Sequence, residues 1–308
     1  MTHAHAHVHG HRGSADRGRL RLALGLILAL MAAEVVAGVL AGSLALLSDA
    51  AHMLTDAGAL ALALLALRLA DRPAGGDFTF GLRRAEILSA QLNGATLVAL
   101  GALIVYEAIR RLVSPPEVEG LPVLAVAVAG IVVNLAATRV LAGADRGSLN
   151  VEGAFQHVLT DLFAFVATAV AGAVVLATGF ARADGIAALL VAALMLRAGY
   201  GLLRDSGRVL LEAAPRGLDP DEVGRALAAE RHVVEVHDLH LWEVTSGFPS
   251  LSAHVLVRPD CDSEVHRRRL AGLLHQRFGI EHSTLQVERV GSEEAPLQIE
   301  PLRSGPDA

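Results

Sequence analysis

Six long apolar segments most constrain the fold of this 308-residue chain. Each has about 20 or more residues, the length that a helix needs to cross the hydrocarbon core of a bilayer. A backbone inside lipid must satisfy its own hydrogen bonds, so such segments are expected to be helical. The sequence therefore predicts a six-helix transmembrane domain in residues 20–204, with helices at about 20–42, 44–69, 85–113, 121–141, 149–178 and 183–203.

Two of these segments contain the same pattern, His-x-x-x-Asp. The first pair is His52 and Asp56, and the second is His157 and Asp161. Residues four apart share one face of a helix. Ionisable groups in membrane helices are costly, and they are retained where they pair, bind a ligand or line a polar path. Two imidazoles and two carboxylates suit tetrahedral Zn²⁺, so we interpret these four residues as a metal-transport site.

An alternative interpretation is that the two pairs only hold helices together by hydrogen bonds. Asp49 lies on the same helix face as His52, and Glu34 lies in the first segment. Either acid could support the site or carry protons, and a structural role is the alternative for both. A soluble zinc protease is excluded because the chain has no His-Glu-x-x-His. The single cysteine, Cys261, excludes an internal disulfide framework and a cysteine-based metal cage.

The first 19 residues are polar and are predicted to form a His-rich tail. Their histidines alternate with small residues, which indicates either a weak collector of Zn²⁺ or a passive tail. The first apolar run is too long for the core of a signal peptide. Arginine residues are concentrated on one side of the predicted membrane helices, so both termini are expected to be cytoplasmic. The tail histidines are His3, His5, His7, His9 and His11.

Residues 205–291 have mixed polar and apolar periodicity, which predicts a small soluble domain. The expected order is helix from Asp219, strand at 233–245, strand at 251–258, helix at 262–278 and strand at 283–290. This order makes a two-layer α+β domain. The remaining residues, 292–308, contain several prolines and are expected to be disordered.

The soluble domain is rich in potential metal ligands. His237 and His240 are three apart, so a regular strand cannot direct both side chains to one point unless it contains a bulge. The alternative is a scattered set of surface histidines, as we expect for His266 and His275. The potential ligands are His237, His240, His254, His282 and Glu288.

Together these residues resemble the cation diffusion facilitator family over about residues 20–290. The stretch from Gly42 to Asp56 is similar to that family's second helix, and Phe80–Glu86 is similar to the start of its third. Val236–Trp242 and Leu251–Val255 are similar to its cytoplasmic strands. The resemblance implies a homodimeric, prokaryotic inner-membrane antiporter that exports Zn²⁺ in exchange for H⁺ and is not an enzyme.

The resemblance also implies roles for individual residues. It assigns transport to His52, Asp56, His157 and Asp161, and His at the first position resembles the zinc-selective branch. It implies a ferredoxin-like cytoplasmic domain with regulatory zinc at the dimer interface, held by His237, His254, His282 and Glu288, with His240 as an alternative to His237. The loop from Ala70 to Arg84 contains no His, so a further metal site that some relatives have there is expected to be absent.

Three other functions are compatible with parts of the pattern. The first is transport of Co²⁺, Cd²⁺ or Mn²⁺, although Mn²⁺ prefers more oxygen ligands. The second is a membrane-embedded zinc enzyme, which would need a general base such as Glu34 or Asp49. The third is a membrane-anchored zinc sensor. A net charge of −6 gives no support for nucleic-acid binding.

Overall fold

The structure is a computed structural model that describes residues 9–41, 44–114, 120–180 and 182–291. Within the helices, the side chains of residues 9–14, 38, 41, 44–49, 51–52 and 120–126 lie outside the described set. The chain divides into two compact units. The first comprises residues up to Ala213 together with Val244–Gly247, and the second comprises Ala214–Glu243 and the residues from Phe248 onward.

Long helices build the first unit, and all six predicted segments are helical. The helices at 85–113 and 149–178 have the predicted bounds, because polar residues interrupt the apolar runs at both ends. The helices are α1 (His9–Ala41), α2 (Leu44–Ala70), α3 (Ala85–Val113), α4 (Gly120–Ala142), α5 (Leu149–Thr178) and α6 (Ala183–Leu210).

Capping residues determine where α5 begins and ends. At its start, the Ser148 side chain accepts a hydrogen bond from the Val151 amide, which satisfies one of the helix's unpaired donors. At its end, Gly179 adopts φ 70°, a left-handed conformation that glycine tolerates without a Cβ clash. Since α5 carries His157 and Asp161, these caps help to set the position of the second His-x-x-x-Asp pair.

Polar contacts show which helix ends lie together. Arg17 of α1 pairs with Asp71, which directly follows α2, and Asp16 accepts a hydrogen bond from the Asp145 amide beyond α4 at 3.1 Å. At the opposite ends of two other helices, Arg111 of α3 pairs with Asp184 of α6 at 2.7 Å. Neighbouring helices therefore alternate in direction, as expected for segments joined by short connections.

The outer surface of the first unit is strongly apolar. Leu103, Val170 and Leu190 are each about 60% exposed. Exposure of large apolar side chains is unfavourable in water and favourable in lipid. Among the described residues, five helices are long and apolar enough to span a membrane. The described apolar part of α4, Ala127–Ala142, is shorter than these five. These surfaces agree with the predicted contact with membrane lipid.

The second unit has the predicted helix–strand–strand–helix–strand order. The first strand, β1 (Val233–Glu243), pairs antiparallel with the second, β2 (Pro249–Val257). β2 pairs parallel with the third strand, β3 (His282–Arg289). Leu251, Val255 and Val257 of β2 pack against helix residues that include Leu227 and Leu270, so both helices cover one face of the sheet. The elements are α7 (Pro220–Ala228), β1 (Val233–Glu243), β2 (Pro249–Val257), α8 (Ser263–Phe278) and β3 (His282–Arg289).

A bulge in β1 changes the direction of its side chains. His237 lies opposite His254, whereas His240 lies opposite Ser252, so β1 has one more residue than β2 in this interval. Asp238 adopts φ 50° within the bulge. Because His254 and Ser252 are two apart on a strand, their side chains share a face. The bulge therefore places His237 and His240 on the same face of the sheet, which a regular strand would not do.

Two expected domain boundaries differ from those observed. α1 begins at His9, not near Leu20, because residues 15–20 already make helical and inter-helix contacts; Asp16 is only 6% exposed. α6 continues to Leu210, and the second unit begins at Ala214, because the polar residues after Leu203 extend the helix. His3, His5 and His7 and the predicted tail of residues 292–308 lie outside the described residues.

Candidate metal site

Asp56, His157 and Asp161 meet where α2 packs against α5. His157 Nε2 lies 2.9 Å from Asp56 Oδ1, and Asp161 follows His157 by one helical turn. One ligand atom from each of the three residues lies within 4.8 Å of the others. The two predicted His-x-x-x-Asp pairs therefore supply adjacent ligands from different helices.

His157 is the most buried of the three ligands, and the Asp56 side chain is 17% exposed. The His157 side chain is 1% exposed. Within the part of the chain that the structure describes, His157 Nδ1 and Asp161 Oδ2 are buried and have no hydrogen-bond partner. Buried polar atoms usually have one, so these two indicate a partner of another kind, such as a cation or a proton.

Apolar packing and a second polar contact, besides that of His157 with Asp56, hold α5 against α2. Met53, Leu60 and Val158 belong to one buried apolar cluster. Close to the start of α5, Asn150 is 0% exposed and its Nδ2 donates to the Ala63 carbonyl of α2 at 2.9 Å. This hydrogen bond helps to set the position of α5 along α2. The contact of His157 with Asp56 is itself a bond between the two helices, as the alternative structural interpretation requires.

The remaining predicted residues of the membrane site are located less completely. His52 and Asp49 lie in α2, with His52 one turn before Asp56, but their side chains lie outside the described set. Glu34 lies in α1 and is 5% exposed. The structure thus places a buried acid in α1, as the sequence indicated, but it does not bring Glu34 into the cluster of Asp56, His157 and Asp161.

A cavity of about 410 Å³ adjoins the cluster. Its lining includes Asp56 and Asp161 and, near the end of α3 and the start of α6, Glu107, Arg111 and Asp184. The Arg111 and Asp184 side chains bond each other across this region. The cavity therefore connects two partly buried carboxylates with the polar end of the α3–α6 pair.

In the second unit, the five predicted ligands share the sheet face that α7 and α8 do not cover. His237 and His254 are opposite each other, with ring centroids 5.4 Å apart. His282 and Glu288 lie on β3, opposite Ser250 and Leu256 respectively.

One chain does not assemble all five residues around a single ion. His282 and Glu288 are six residues apart on a strand, a separation of about 20 Å. His237 Nδ1 lies 3.4 Å from Glu235 Oε1, and His240 Nε2 lies 2.9 Å from Asp238 Oδ1. Among the described residues, neither His237 nor His240 belongs to a cluster of three potential ligands.

A different cluster in the second unit was not predicted from the sequence. One ligand atom each from His232, Asp260 and Cys261 lies within 4.8 Å of the others. A single thiol cannot form a cysteine cage, but it can join ligands of other types. No spacing motif marks this group, because 28 or more residues separate His232 from the other two.

Comparison with known families identifies the architecture. Residues 20–211 match the family model of the cation efflux transmembrane domain, and residues 215–290 match that of the cation efflux protein cytoplasmic domain. The chain belongs to the cation efflux family. Membership confirms the resemblance to the cation diffusion facilitators. It also establishes the chain as an integral membrane protein of a transporter family.

Several bacterial members of the cation efflux family are similar to nearly the whole chain. "Zinc transporter ZitB" of Escherichia coli is 40% identical over 94% of this chain and 93% of its own. "Metal cation efflux system protein CzcD" of Cupriavidus metallidurans is 42% identical over 90% and 88%. "Cadmium, cobalt and zinc/H(+)-K(+) antiporter" of Bacillus subtilis is 38% identical over 89% of each chain.

Several solved structures also match part of the chain. The metal-bound C-terminal domain of the CzcD transporter from Cupriavidus metallidurans is 36% identical, covers 23% of this chain and 99% of its own, and has a TM-score of 0.22.

Proposed function

We propose that this protein exports Zn²⁺ from the cytoplasm in exchange for protons, through the site between α2 and α5. The meeting of Asp56, His157 and Asp161 inside a cation efflux transmembrane domain carries this proposal. The names of the zinc transporter and antiporter relatives support the same cargo and coupling.

The ligand set suits the proposed cargo. Zn²⁺ is bound by imidazole nitrogens and carboxylate oxygens, commonly with four ligands in a tetrahedron. Asp56, His157 and Asp161 supply three. We assign the fourth to His52, since it precedes Asp56 by one turn in α2.

Charge balance explains how protons and zinc can exchange. Two ionised carboxylates and two neutral imidazoles sum to −2, and one Zn²⁺ brings the site to zero. The same negative charge can be neutralised by proton uptake. Because ligands must lose protons to bind metal, the two cargoes compete for one set of atoms. Competition at a single site exposed alternately to the two sides is sufficient for antiport.

The cavity beside the site supports an access route. It runs from Asp56 and Asp161 towards the end of α3 and the start of α6. In the orientation that places the arginine-rich helix ends in the cytoplasm, this end faces outward. Zn²⁺ would leave through the cavity and protons would enter, with both chain termini on the cytoplasmic side of a prokaryotic inner membrane.

Two acids and the N-terminal tail have proposed supporting roles. Asp49, one turn before His52 in α2, and Glu34, buried in α1, would hold ligands in place or pass protons. His3, His5, His7, His9 and His11 would collect cytoplasmic Zn²⁺ near the entrance. The outward cavity itself contains further acids, Glu107 and Asp184, that could receive protons.

Transport of Cd²⁺ and Co²⁺ is a second candidate function. A relative 38% identical to this chain is named for cadmium, cobalt and zinc. Imidazole and carboxylate ligands bind several divalent transition metals, so geometry and metal availability decide selectivity. The proposed site would then be shared by the three ions.

We also propose a homodimer with regulatory zinc at the open sheet face of the second unit. His237 and His254 are adjacent on that face, while His282 and Glu288 are too distant to complete one site within a chain. Ligands from two copies would complete it. A zinc-dependent rise in the dimer fraction, measured by light scattering, should be lost in His254→Ala and kept in His275→Ala; an equal rise in both would refute this site.

Proteoliposomes with an acidic lumen provide the test of transport. Zinc uptake into them should be rapid for the wild type, because protons leave as zinc enters. His52→Ala and Asp161→Asn should each abolish gradient-driven uptake. Asp77→Asn is the matched control, since it removes a carboxylate from an exposed loop, and it should transport normally.

The result also separates transport from sensing. Wild-type flux in Asp161→Asn would overturn the proposed site. If well-folded wild type gave no zinc flux under the gradient, the proposed function would fail and the sensor interpretation would replace it. Repeating the assay with Cd²⁺ and Co²⁺ tests the wider cargo range.

A further inference from the structure

Backbone contacts bring three different metal-binding side chains to one end of the sheet in the second unit. His232 directly precedes β1, and Asp260 and Cys261 lie between β2 and α8. The Arg258 amide donates to the His232 carbonyl at 3.0 Å, so the two segments remain adjacent beyond the last strand pair. The Cys261 amide donates to the Arg258 carbonyl at 3.1 Å, which closes a turn and returns the thiol towards His232.

The distances in this cluster are close to those of a coordinated ion. The three ligand atoms lie within 4.8 Å of one another. Around tetrahedral Zn²⁺, with bonds of 2.0–2.3 Å, ligand atoms are separated by about 3.3–3.7 Å. A movement of about 1 Å, within the range of small side-chain rotations, would therefore bring all three into contact with one ion.

The three side chains have few strong alternative partners in this region. His232 Nδ1 is buried and has no hydrogen-bond partner among the described residues. The Cys261 thiol, 8% exposed, lies 3.9 Å from Asp260 Oδ1, and Arg258 Nε lies 3.5 Å from the same oxygen. Both contacts are longer than an ordinary charged hydrogen bond. Little existing bonding would be lost when a cation binds.

Two features hold the His232 ring beside the turn. Its backbone has φ 72°, in the left-handed region that few residues other than glycine adopt and in which histidine is among the more frequent of them. The ring also packs edge-to-face on His266 of α8, with centroids 5.8 Å apart. The Asp262 carbonyl accepts a hydrogen bond from His266 Nδ1 at 3.0 Å, which fixes the orientation of the His266 imidazole.

We propose that His232, Asp260 and Cys261 form a second metal site that binds one thiophilic divalent cation, Cd²⁺ or Zn²⁺, with water in the fourth position. The thiol releases its proton to solvent as the metal–sulfur bond forms. Thiolate and carboxylate then carry −2, which the cation balances. A soft sulfur ligand beside an imidazole favours Cd²⁺ and Zn²⁺ over Mg²⁺ or Mn²⁺.

The position of the site gives the bound ion a structural effect. It would join the start of β1 to the turn that leads into α8. A ligand that binds the folded unit alone stabilises that unit. The site therefore senses thiophilic metal on the second unit independently of the transport site in the membrane.

Cadmium titration of the full-length protein in detergent tests the site. Metal binding to a thiolate produces an ultraviolet charge-transfer band, and the chain has one cysteine, so the band reports Cys261 alone. As Cd²⁺ is added, we expect a saturable band with the amplitude of one cadmium–thiolate bond per chain in the wild type, and no band in Cys261→Ser. The membrane ligands contain no sulfur and cannot contribute to the signal.

Substitutions of the other ligands distinguish a site from a lone thiol. His232→Asn, which tolerates positive φ, and Asp260→Asn should each weaken Cd²⁺ affinity about tenfold or more. His275→Asn, at an exposed position of α8, is the control and should bind as the wild type does.

Alkylation of Cys261 by a maleimide gives an independent measurement. Cd²⁺ at the concentration that saturates the wild-type band should slow maleimide labelling of Cys261 strongly in the wild type and only slightly in His232→Asn. The proposal would be overturned if His232→Asn and Asp260→Asn both bound Cd²⁺ with the affinity of the wild type. It would also be overturned if the wild type gave no band at millimolar Cd²⁺. Neither readout involves flux, so the result is separate from the outcome of the transport assay.

Discussion

Asn150 forms one of the polar links between the two helices of the proposed transport site. Its side chain donates to the Ala63 carbonyl from a fully buried position in α5. Hydrogen bonds between membrane helices contribute about 0.6 kcal/mol on average and up to about 1.7 kcal/mol. We predict that Asn150→Ala lowers stability by this amount and raises the zinc concentration for half-maximal transport, because α5 loses its fixed position along α2. Thermal unfolding and proteoliposome flux measure the two effects.

Asn134 provides the matched control for this prediction. It is also buried, but its side chain bonds the Gly130 carbonyl of its own helix at 3.1 Å. Asn134→Ala should therefore leave zinc affinity unchanged. Equal changes in zinc affinity for the two variants would show that the bond between helices does not position the site.

Glu264 gives a residue-scale prediction that depends on pH. Hydrogen bonds from Arg267 and Arg268 lower the pKa of Glu264 from its ordinary value of 4.5 to about 2. A lowered carboxyl pKa contributes stability that is present above the ordinary value and lost as pH falls through the lowered one. Because this carboxylate is exposed, solvent screening keeps the contribution small. Glu264→Gln should remove it.

Amide hydrogen exchange in α8 measures this contribution. Comparison of Glu264→Gln with the wild type at each pH cancels the intrinsic pH dependence of exchange. The variant should exchange faster above about pH 4.5, and the difference should disappear towards pH 2. Glu281→Gln, outside α8, is the control. A difference that stays constant across this pH range would contradict the role of the two arginines.

At the scale of elements, α3 and α6 approach each other closely because glycines line their contact. A Cβ added at Gly199 would lie 2.8 Å from both the Gly94 carbonyl oxygen and Val98 Cγ2. Small residues allow this approach in membrane helix pairs. Gly199→Ala should therefore push the helices apart and destabilise the unit by roughly 1–3 kcal/mol, the usual cost of overpacking.

Gly201 of the same helix tests whether packing causes the effect. A Cβ there meets nothing within 4 Å. Gly201→Ala should be neutral or stabilising, since alanine favours helix by about 1 kcal/mol over glycine. Thermal unfolding of both variants in detergent measures the difference. Similar destabilisation by the two substitutions would exclude close helix packing as its cause.

For the whole molecule, the N-terminal histidines are predicted to raise the local zinc concentration at the membrane unit. Replacement of His3, His5, His7, His9 and His11 by Asn should lower flux at low zinc and leave the rate at saturating zinc unchanged, because the transport site itself is intact. Flux measured across a range of zinc concentrations separates the two quantities. An unchanged half-saturation concentration would identify the tail as passive.

The elements and the helix positions of the candidate metal ligands could be predicted from the sequence because they depend on local properties. Apolar length predicts a membrane helix, and a four-residue spacing places His157 and Asp161 on one face. Alternation and turn residues predicted the order of the second unit. The ends of α1 and α6 were placed less accurately, because polar residues there extend a helix whose limits tertiary contacts decide.

Tertiary structure alone decided which residues meet. Asp56 and His157 are 101 positions apart, and their contact depends on how α2 packs on α5. A bulge at Asp238, invisible in the alternation pattern, placed His237 and His240 on one face. His232 reaches Cys261 only through the pairing of β1 with β2. Local sequence thus determined the elements and their potential ligands, whereas long-range packing, which no single segment encodes, determined the sites.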